Sequence, residues 1–333
     1  MKFFEPGEIK EGFIPLSVPF ISGNEWKYIK ECLDTNWVSS AGPFVEKFEK
    51  EIADYLGVKY AVATINGTSA LHIALKVLGI NENEEVITSD LTFVAPANAI
   101  KYINAFPVFI DCEENFAQMD LEKLENFLKK DCLRKKDGLY NKITKRKIRA
   151  ILPVHILGGV SQMDKILELA KEFELFILED ASEALGAKYK GKFAGTFGDI
   201  GVLSFNGNKI ITTGAGGMII TNNEGLAKKA RYLTTQAKDD PIEYIHNEIG
   251  YNYRMPNVLA ALGCAQLEKL EKYIEKKRKI AKKYDKELSK IEFIKPIKEG
   301  PNVFSTFWLY TIILNENSPI NRFELMKKLE EKK

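Results

Sequence analysis

Short apolar runs alternate with helical segments along the first half of this chain. Runs typical of buried strands occur at 60–64, 85–88, 107–111, 148–154 and 175–179. Apolar positions recur with helical spacing at 23–33, 43–56, 68–78, 95–102, 121–129 and 163–173. This alternation predicts an α/β fold in which helices cover both faces of a mostly parallel sheet. The polar segment 131–147 is predicted to be a surface excursion between two units.

The pattern changes after Asp199. Strand-like runs at 200–205 and 217–221 follow with no helix between them, and helices dominate after Gly225. A charged helix at 267–288, a strand-like stretch at 304–314 and a helix from Asn321 end the chain. We expect a large α/β domain over 1–265, with an N-terminal arm at 1–20, and a small C-terminal domain over 266–333.

Composition narrows the class of protein. The 333 residues include 48 Lys and Arg and 46 Asp and Glu, so a net charge of +2 favours neither nucleic acid nor an anionic membrane. The acidic N-terminus is unlike a signal peptide, and no apolar run has the length of a membrane span. The four cysteines form no CxxC pair and no metal cluster is visible, which favours a reducing compartment. We expect a cytoplasmic protein.

One lysine stands out from the others. The stretch SFNGNKIITTGAGGMIIT (204–221) is rich in glycine and apolar residues, and Lys209 is its one ionisable group. Most other lysines lie among glutamates on predicted helix surfaces. An apolar setting disfavours the ammonium form and makes an amine a better nucleophile. A solvated loop lysine is the alternative interpretation.

Other candidate ligand-binding residues follow the predicted strands at the sheet edge where ligands collect in open α/β folds. They are Gly67, Thr68 and Ser69 after the first strand, Phe93 and His155 further along, and Asp180 with Glu183 after the strand at 175–179. Each also has an ordinary structural interpretation, such as a turn, a core ring or a helix cap. Together they suit pyridoxal phosphate. This cofactor needs a lysine for a Schiff base, a helix start and hydroxyls for its phosphate, and a carboxylate for its ring nitrogen.

Several motifs resemble the DegT/DnrJ/EryC1/StrS sugar aminotransferases. They are INGTSALHIAL (65–75), LTFVAPANAI (91–100), EDASEALG (179–186), SFNGNKIITTGAGGM (204–218) and GYNYRMPNVLAALGCAQLEKL (250–270). The segment QAKDDPIEYIHNEIGYNYRM (236–255) resembles the branch that aminates C4 of nucleotide-linked 4-keto-6-deoxy-2-acetamido sugars, which includes legionaminic acid synthesis.

The resemblance implies the aspartate-aminotransferase-like fold (fold type I), with a seven-stranded, mostly parallel sheet, and a homodimer with shared active sites. It implies that Lys209 forms the Schiff base, that Asp180 faces the ring nitrogen, that Phe93 stacks on the ring and that Glu183 lies near the ring hydroxyl. Phosphate contacts would come from Gly67, Thr68, Ser69 and Ser204 and, from the partner subunit, Asn252, with Arg254 as a competing choice. Substrate contacts are expected from His155, Asn206, Tyr251, Arg254 and Ser39.

The implied activity is transfer of an amino group from L-glutamate to the C4 keto group of a UDP- or GDP-linked sugar. Alternatives are a 3-keto sugar nucleotide as substrate, or a non-catalytic regulator that binds pyridoxal phosphate. Family members usually continue a few dozen residues beyond the point where this sequence stops, so we expect the small domain to be incomplete.

Overall fold

The computed structural model describes residues 14–240 and 242–332. Residues 1–13, most of the predicted arm, lie outside the described residues. The helices are α1 (Glu25–Asp34), α2 (Pro43–Leu56), α3 (Gly67–Val77), α4 (Ala95–Tyr102), α5 (Leu121–Asn126), α6 (Met163–Phe173), α7 (Glu224–Thr234), α8 (Asn257–Leu267), α9 (Leu270–Leu288) and α10 (Arg322–Glu331).

The strands confirm the predicted α/β alternation. They are β1 (Tyr60–Thr64), β2 (Glu85–Ser89), β3 (Phe106–Ile110), β4 (Cys132–Lys135), β5 (Gly138–Asn141), β6 (Lys147–Leu152), β7 (Phe176–Asp180), β8 (Lys188–Tyr189), β9 (Lys192–Phe193), β10 (Ile200–Ser204), β11 (Gly217–Thr221), β12 (Ile294–Pro296), β13 (Val303–Phe304) and β14 (Ile312–Leu314).

The main sheet has the order β1-β11-β10-β7-β6-β2-β3. Strands β10, β7, β6, β2 and β3 run parallel, and β11 is antiparallel to both of its neighbours. This is the predicted seven-stranded, mostly parallel sheet. Segment 131–147 differs from the prediction, because it contains an ordered hairpin, β4–β5, and β5 adds to the start of β6. Its turn lies at Lys136–Asp137, and Gly138 adopts a φ of 143°.

Alternate side chains of the sheet enter two apolar cores, as strand geometry requires. Ile151, Leu203 and Met218 belong to one core, and Leu152, Val202 and Ile219 belong to the other. The second core contains α3, which packs across β1, β7, β10 and β11. This position brings the start of α3 to the centre of the sheet.

The C-terminal part of the chain is tied to the main sheet region. The predicted strand at 304–314 is two short strands instead, with irregular backbone between them. Strand β14 pairs with β12, whereas β13 pairs with β8 of the preceding region. A domain division after residue 265 would fall inside the last turn of α8. No helix of the described residues combines the length and the apolar character needed to cross a membrane.

Candidate active site

The start of helix α3 forms a small cradle beside the end of β10. The side chain of Asn66 caps the helix by accepting the Ser69 N–H at 2.7 Å. A Cβ atom at Gly67 would lie 3.0 Å from Cβ of Ser204 and 3.3 Å from the hydroxyl oxygens of Ser204 and Ser182. A glycine here therefore keeps the helix start open between two hydroxyl groups. Helix dipole and hydroxyl groups together favour an anion at this place.

The glycines after Lys209 also have a packing role. A Cβ atom at Gly217 would lie 2.5 Å from the carbonyl carbon of Asn66. A side chain there would push away the turn that begins α3. Gly216 is equally confined, since a Cβ atom would lie 2.2 Å from the Thr213 hydroxyl. The glycine-rich stretch is thus required for the cradle as well as for the lysine.

Lys209 lies on a loop that is held from both sides. Phe205 is fully buried, its ring packs 4.9 Å from that of Phe48, and its N–H donates to Gly216 O. The carbonyl of Phe205 accepts the Thr213 N–H, and the Thr212 N–H donates to Gln266 of α8. Because the backbone is fixed on each side of the lysine, the amine has a defined position.

The amine of Lys209 lies between a carboxylate and an indole ring. Its Nζ is 3.6 Å from Oε1 of Glu183 and 4.1 Å from the centroid of the Trp308 ring, and its side chain is 13% exposed. Trp308 Nε1–H also donates to the carbonyl oxygen of Asn208 at 2.7 Å. One indole therefore contacts the ammonium group and holds the residue that precedes it.

Glu183 connects the lysine to the turn after β6. Its Oε2 accepts the Leu157 N–H at 2.8 Å. Burial raises the pKa of the Glu183 carboxyl, and the neighbouring Lys209 ammonium opposes that increase. The same turn also contacts the C-terminal part of the chain, since the Thr306 N–H donates to Gly158 O at 3.0 Å.

Asp180 occupies the last position of β7, on the same edge of the sheet. Its Oδ1 accepts the Ser182 N–H at 3.0 Å, and it is 4% exposed. The like charge of Asp180 adds to the rise in the pKa of the Glu183 carboxyl. A nearly buried carboxylate can hold a proton on a basic ring nitrogen of a ligand.

These residues fit pyridoxal phosphate. The cradle at Gly67, with Ser182 and Ser204, would hold the phosphate, Lys209 provides the amine and Asp180 provides the acid. The fit rests on the open space at Gly67 and on this set of donor groups. The roles assigned to the individual residues remain predictions.

A polar cleft of about 480 Å³ lies beside the cradle, and its lining includes Thr68, Ser69 and Asn252 of the same chain. Tyr102 and His72 also line it. The family resemblance implies that Asn252 acts across a subunit interface. In a single chain it already lies beside the predicted phosphate residues, so both arrangements stay open.

Three predicted substrate contacts have structural partners instead. His155 has no exposed surface, because Nε2 lies 2.9 Å from Glu179 and Nδ1 accepts the Ser161 N–H. Arg254 pairs with Glu49 at 2.5 Å, and Tyr251 stacks on Tyr253 with ring centroids 5.1 Å apart. Each of the three side chains therefore has a partner within the chain, and its contact with substrate stays a prediction.

The other predicted contacts are exposed. Phe93, 68% exposed, presents its ring to solvent, and Ser39 and Asn206 are exposed as well. The carbonyl of Ser39 accepts the Asn257 N–H at 2.6 Å, which anchors that segment at the start of α8. These side chains have surface free for a ligand or a partner subunit.

Two residues of the site were missed from the sequence. Ser182 lies between Asp180 and Glu183, so a hydroxyl between two predicted contacts was a usable signal. No sequence signal marked Trp308, because it lies 99 positions from Lys209 in a stretch that is predicted to be an apolar strand.

Comparison with known proteins agrees with this geometry. Residues 19–333 match the DegT/DnrJ/EryC1/StrS aminotransferase family. A GDP-perosamine synthase of Escherichia coli O157:H7 is 44% identical over 301 residues, which cover 90% of this chain and 78% of the relative. A UDP-4-amino-4,6-dideoxy-N-acetyl-beta-L-altrosamine transaminase of Campylobacter jejuni (strain 81-176) is 37% identical over 88% of this chain and 74% of the relative.

Solved structures show the same fold. PseC of Helicobacter pylori, an aminotransferase involved in the biosynthesis of pseudoaminic acid, superimposes with a TM-score of 0.81. It is 28% identical, and the match covers 95% of this chain and 80% of that one.

Proposed function

The chain belongs to the DegT/DnrJ/EryC1/StrS aminotransferase family, and from this premise we propose which amino group it transfers and to which carbon. It is a pyridoxal-phosphate-dependent nucleotide-sugar aminotransferase. We propose that L-glutamate is the donor and that the acceptor is the C4 keto group of a nucleotide-linked 4-keto-6-deoxy sugar, with or without a 2-acetamido group. The product would serve surface polysaccharide or nonulosonic acid synthesis.

The C4 position is supported by the relatives' names. The Campylobacter relative is named for a UDP-linked 4-amino-4,6-dideoxy-N-acetyl sugar, and the Escherichia coli relative for a GDP-linked sugar. Both nucleotides therefore stay open for this chain. The observation that carries the proposal is the placement of the Lys209 amine 3.6 Å from Glu183, on the sheet edge that holds Asp180 and the Gly67 cradle.

Each side chain of the site has a chemical task in this proposal. Pyridoxal phosphate, when bound, supplies a ring that accepts electrons from the donor carbon. Asp180 holds the proton at the ring nitrogen. Lys209 Nζ removes the α-proton of the donor and carries it, and its low exposure keeps water away from that proton. Glu183 keeps the amine in position between transfers.

The first test separates amino transfer from cofactor binding. UDP- and GDP-linked 4-keto-6-deoxy sugars and, separately, 3-keto-6-deoxy sugars are incubated with L-glutamate. The 2-oxoglutarate and the amino sugar are quantified by mass spectrometry. Lys209→Ala should abolish both products, whereas Lys282→Gln, an exposed lysine of α9, should not. Normal turnover by Lys209→Ala would refute the assignment, and conversion of 3-keto sugars alone would refute the C4 position.

We further propose that the enzyme is a homodimer in which the partner subunit's Asn252 completes each site. Exposed apolar side chains, among them Trp37 and Phe93, support an interface near the site. Subunits carrying Lys209→Ala are mixed with subunits carrying Asn252→Ala. If Asn252 acts across the interface, random mixing restores about one quarter of wild-type activity, since half of the dimers contain one intact site. If it acts within its own chain, the mixture stays inactive.

A further inference from the structure

A groove of about 430 Å³ leads away from Lys209 between the N-terminal arm and helix α9. One wall is the segment 15–22, which includes the end of the arm, and the opposite wall is one face of α9. The arm is fixed at both ends of this wall. Ser17 Oγ–H donates to Asn208 O at 2.9 Å, and Phe20 O accepts Tyr273 O–H at 3.0 Å. The groove is therefore a defined part of the fold that begins at the reactive lysine.

The α9 face of the groove is strongly basic. Lys269, directly before α9, and Lys272, Lys276 and Lys277 of α9 recur there at helical spacing. In the part of the chain that the structure describes, none of the four lies within 4.0 Å of a carboxylate. Other lysines of the protein are paired, including Lys279, which lies 2.5 Å from Glu275 on the same helix. The groove thus concentrates positive charge that the described residues do not neutralise.

Burial of the Lys277 ammonium group is unfavourable when no ligand is bound. Its side chain is half-buried, and its ammonium group donates to the carbonyl oxygen of Trp308 at 3.0 Å. Burial lowers the pKa of Lys277, because a cation loses hydration there. A partly buried cation with a neutral partner is a site where an anionic ligand compensates the lost hydration.

Apolar side chains accompany the lysines along the groove. The lining includes Phe20, Tyr273 and Ile280, and the ammonium group of Lys276 lies 5.1 Å from the centroid of the Phe20 ring. A ligand that suits this surface carries several negative charges and a flat or apolar group. A nucleoside diphosphate has both features, and attached to a sugar it would extend from the site of reaction.

We propose that the groove between the arm and α9 binds the diphosphate of the nucleotide-sugar substrate through Lys272, Lys276 and Lys277. This inference rests on the proposed function, which requires a nucleotide sugar at Lys209. It adds the side chains that hold the charged part of the substrate, far from the carbon that reacts.

The test measures binding of GDP and UDP to the pyridoxal-phosphate-loaded protein by isothermal titration calorimetry. The variant Lys272→Gln/Lys276→Gln should bind the nucleotide preferred by the wild-type protein about tenfold more weakly. The expected change is modest because each exposed ion pair contributes little to the affinity. The control is Lys282→Gln/Lys286→Gln, which removes the same charge from exposed positions of α9 outside the groove. The control should change the affinity by about twofold or less, because remote charges are screened.

Equal affinity in the wild-type protein and in Lys272→Gln/Lys276→Gln would overturn the groove assignment. Unchanged affinity with a lowered melting temperature would also overturn it and would assign these lysines to the fold, for example to the acidic residues among 1–13. In both cases, turnover of nucleotide-linked keto sugars by the wild-type protein would leave the proposed function intact. A second variant, Lys277→Met, should weaken nucleotide binding while it preserves the ligand-free melting temperature, because it removes a poorly compensated charge.

Discussion

Arg254 could contact the substrate or stabilise the fold, and substitution of Arg254 should have different effects in the two cases. The sequence suggests that Arg254 contacts phosphate or substrate. In the structure its Nη1 lies 2.5 Å from Oε1 of Glu49 and donates to Ala63 O at 3.2 Å. The same carboxylate accepts the Ala63 N–H at 2.7 Å and pairs with Arg231 at 2.8 Å. The Arg254 and Glu49 side chains are 10% and 7% exposed, whereas that of Arg231 is 45% exposed.

The magnitudes follow from this difference in exposure. Removing one partner of a buried ion pair costs about 3–5 kcal/mol, because the other charge stays buried without compensation. We expect Arg254→Met to lie near the lower end, since Arg231 and the Ala63 N–H still contact Glu49. Arg231→Met should cost at most about 1 kcal/mol, because the Arg231 side chain is largely exposed to water and Arg254 still neutralises Glu49. It is therefore the matched control.

The assay is urea unfolding of each variant, combined with a double-mutant cycle between Arg254→Met and Glu49→Gln. The double variant should cost less than the sum of the single variants by about 1–3 kcal/mol, because each removes the same contact. The reasoning would be refuted if Arg254→Met changed the free energy of unfolding by less than about 0.5 kcal/mol and yet abolished amino transfer. That outcome would return Arg254 to the substrate site.

Three further predictions follow from the site. Gly67→Ala should lower the affinity for pyridoxal phosphate by about tenfold in a near-visible absorbance titration, because the added Cβ enters the cradle. The control is Gly207→Ala, where the added atom meets nothing within 4 Å. Equal affinities of the two variants would mean that the cradle does not bind the phosphate. Trp308→Phe should lose about 1 kcal/mol of unfolding free energy with its bond to Asn208, and Trp308→Ala should lose several times more; equal losses would mean that the ring does not contribute. Burial lowers the pKa of His72 below its usual value of 6.5, so its contribution to stability is present above pH 6.5 and is lost as the pH falls through the lower pKa of the folded state. In urea titrations at a series of pH values, His72→Phe should remove that part of the loss of stability in acid. An unchanged dependence of stability on pH would contradict this prediction.

The alternation of apolar and polar positions by itself determined the fold class, most element bounds and the residues at the sheet edge. Lys209, Asp180, Glu183 and Gly67 were found because local chemistry marks them, as a lone amine among glycines or as an acid directly after a strand. Local signals also determined the capped start of α3, since Asn66 acts within three residues of itself.

Contacts between distant parts of the chain needed the tertiary structure. Trp308 contacts Lys209 because the segment around residue 306 packs against the turn at Leu157–Gly158, and no local sequence pattern predicts that approach. His155 and Arg254 appeared to be free for a ligand until packing supplied Glu179 and Glu49 as partners. The type of a residue limits which interactions it can make. A buried charge pairs with the opposite charge that folding brings beside it, so its partner is known only from the folded chain.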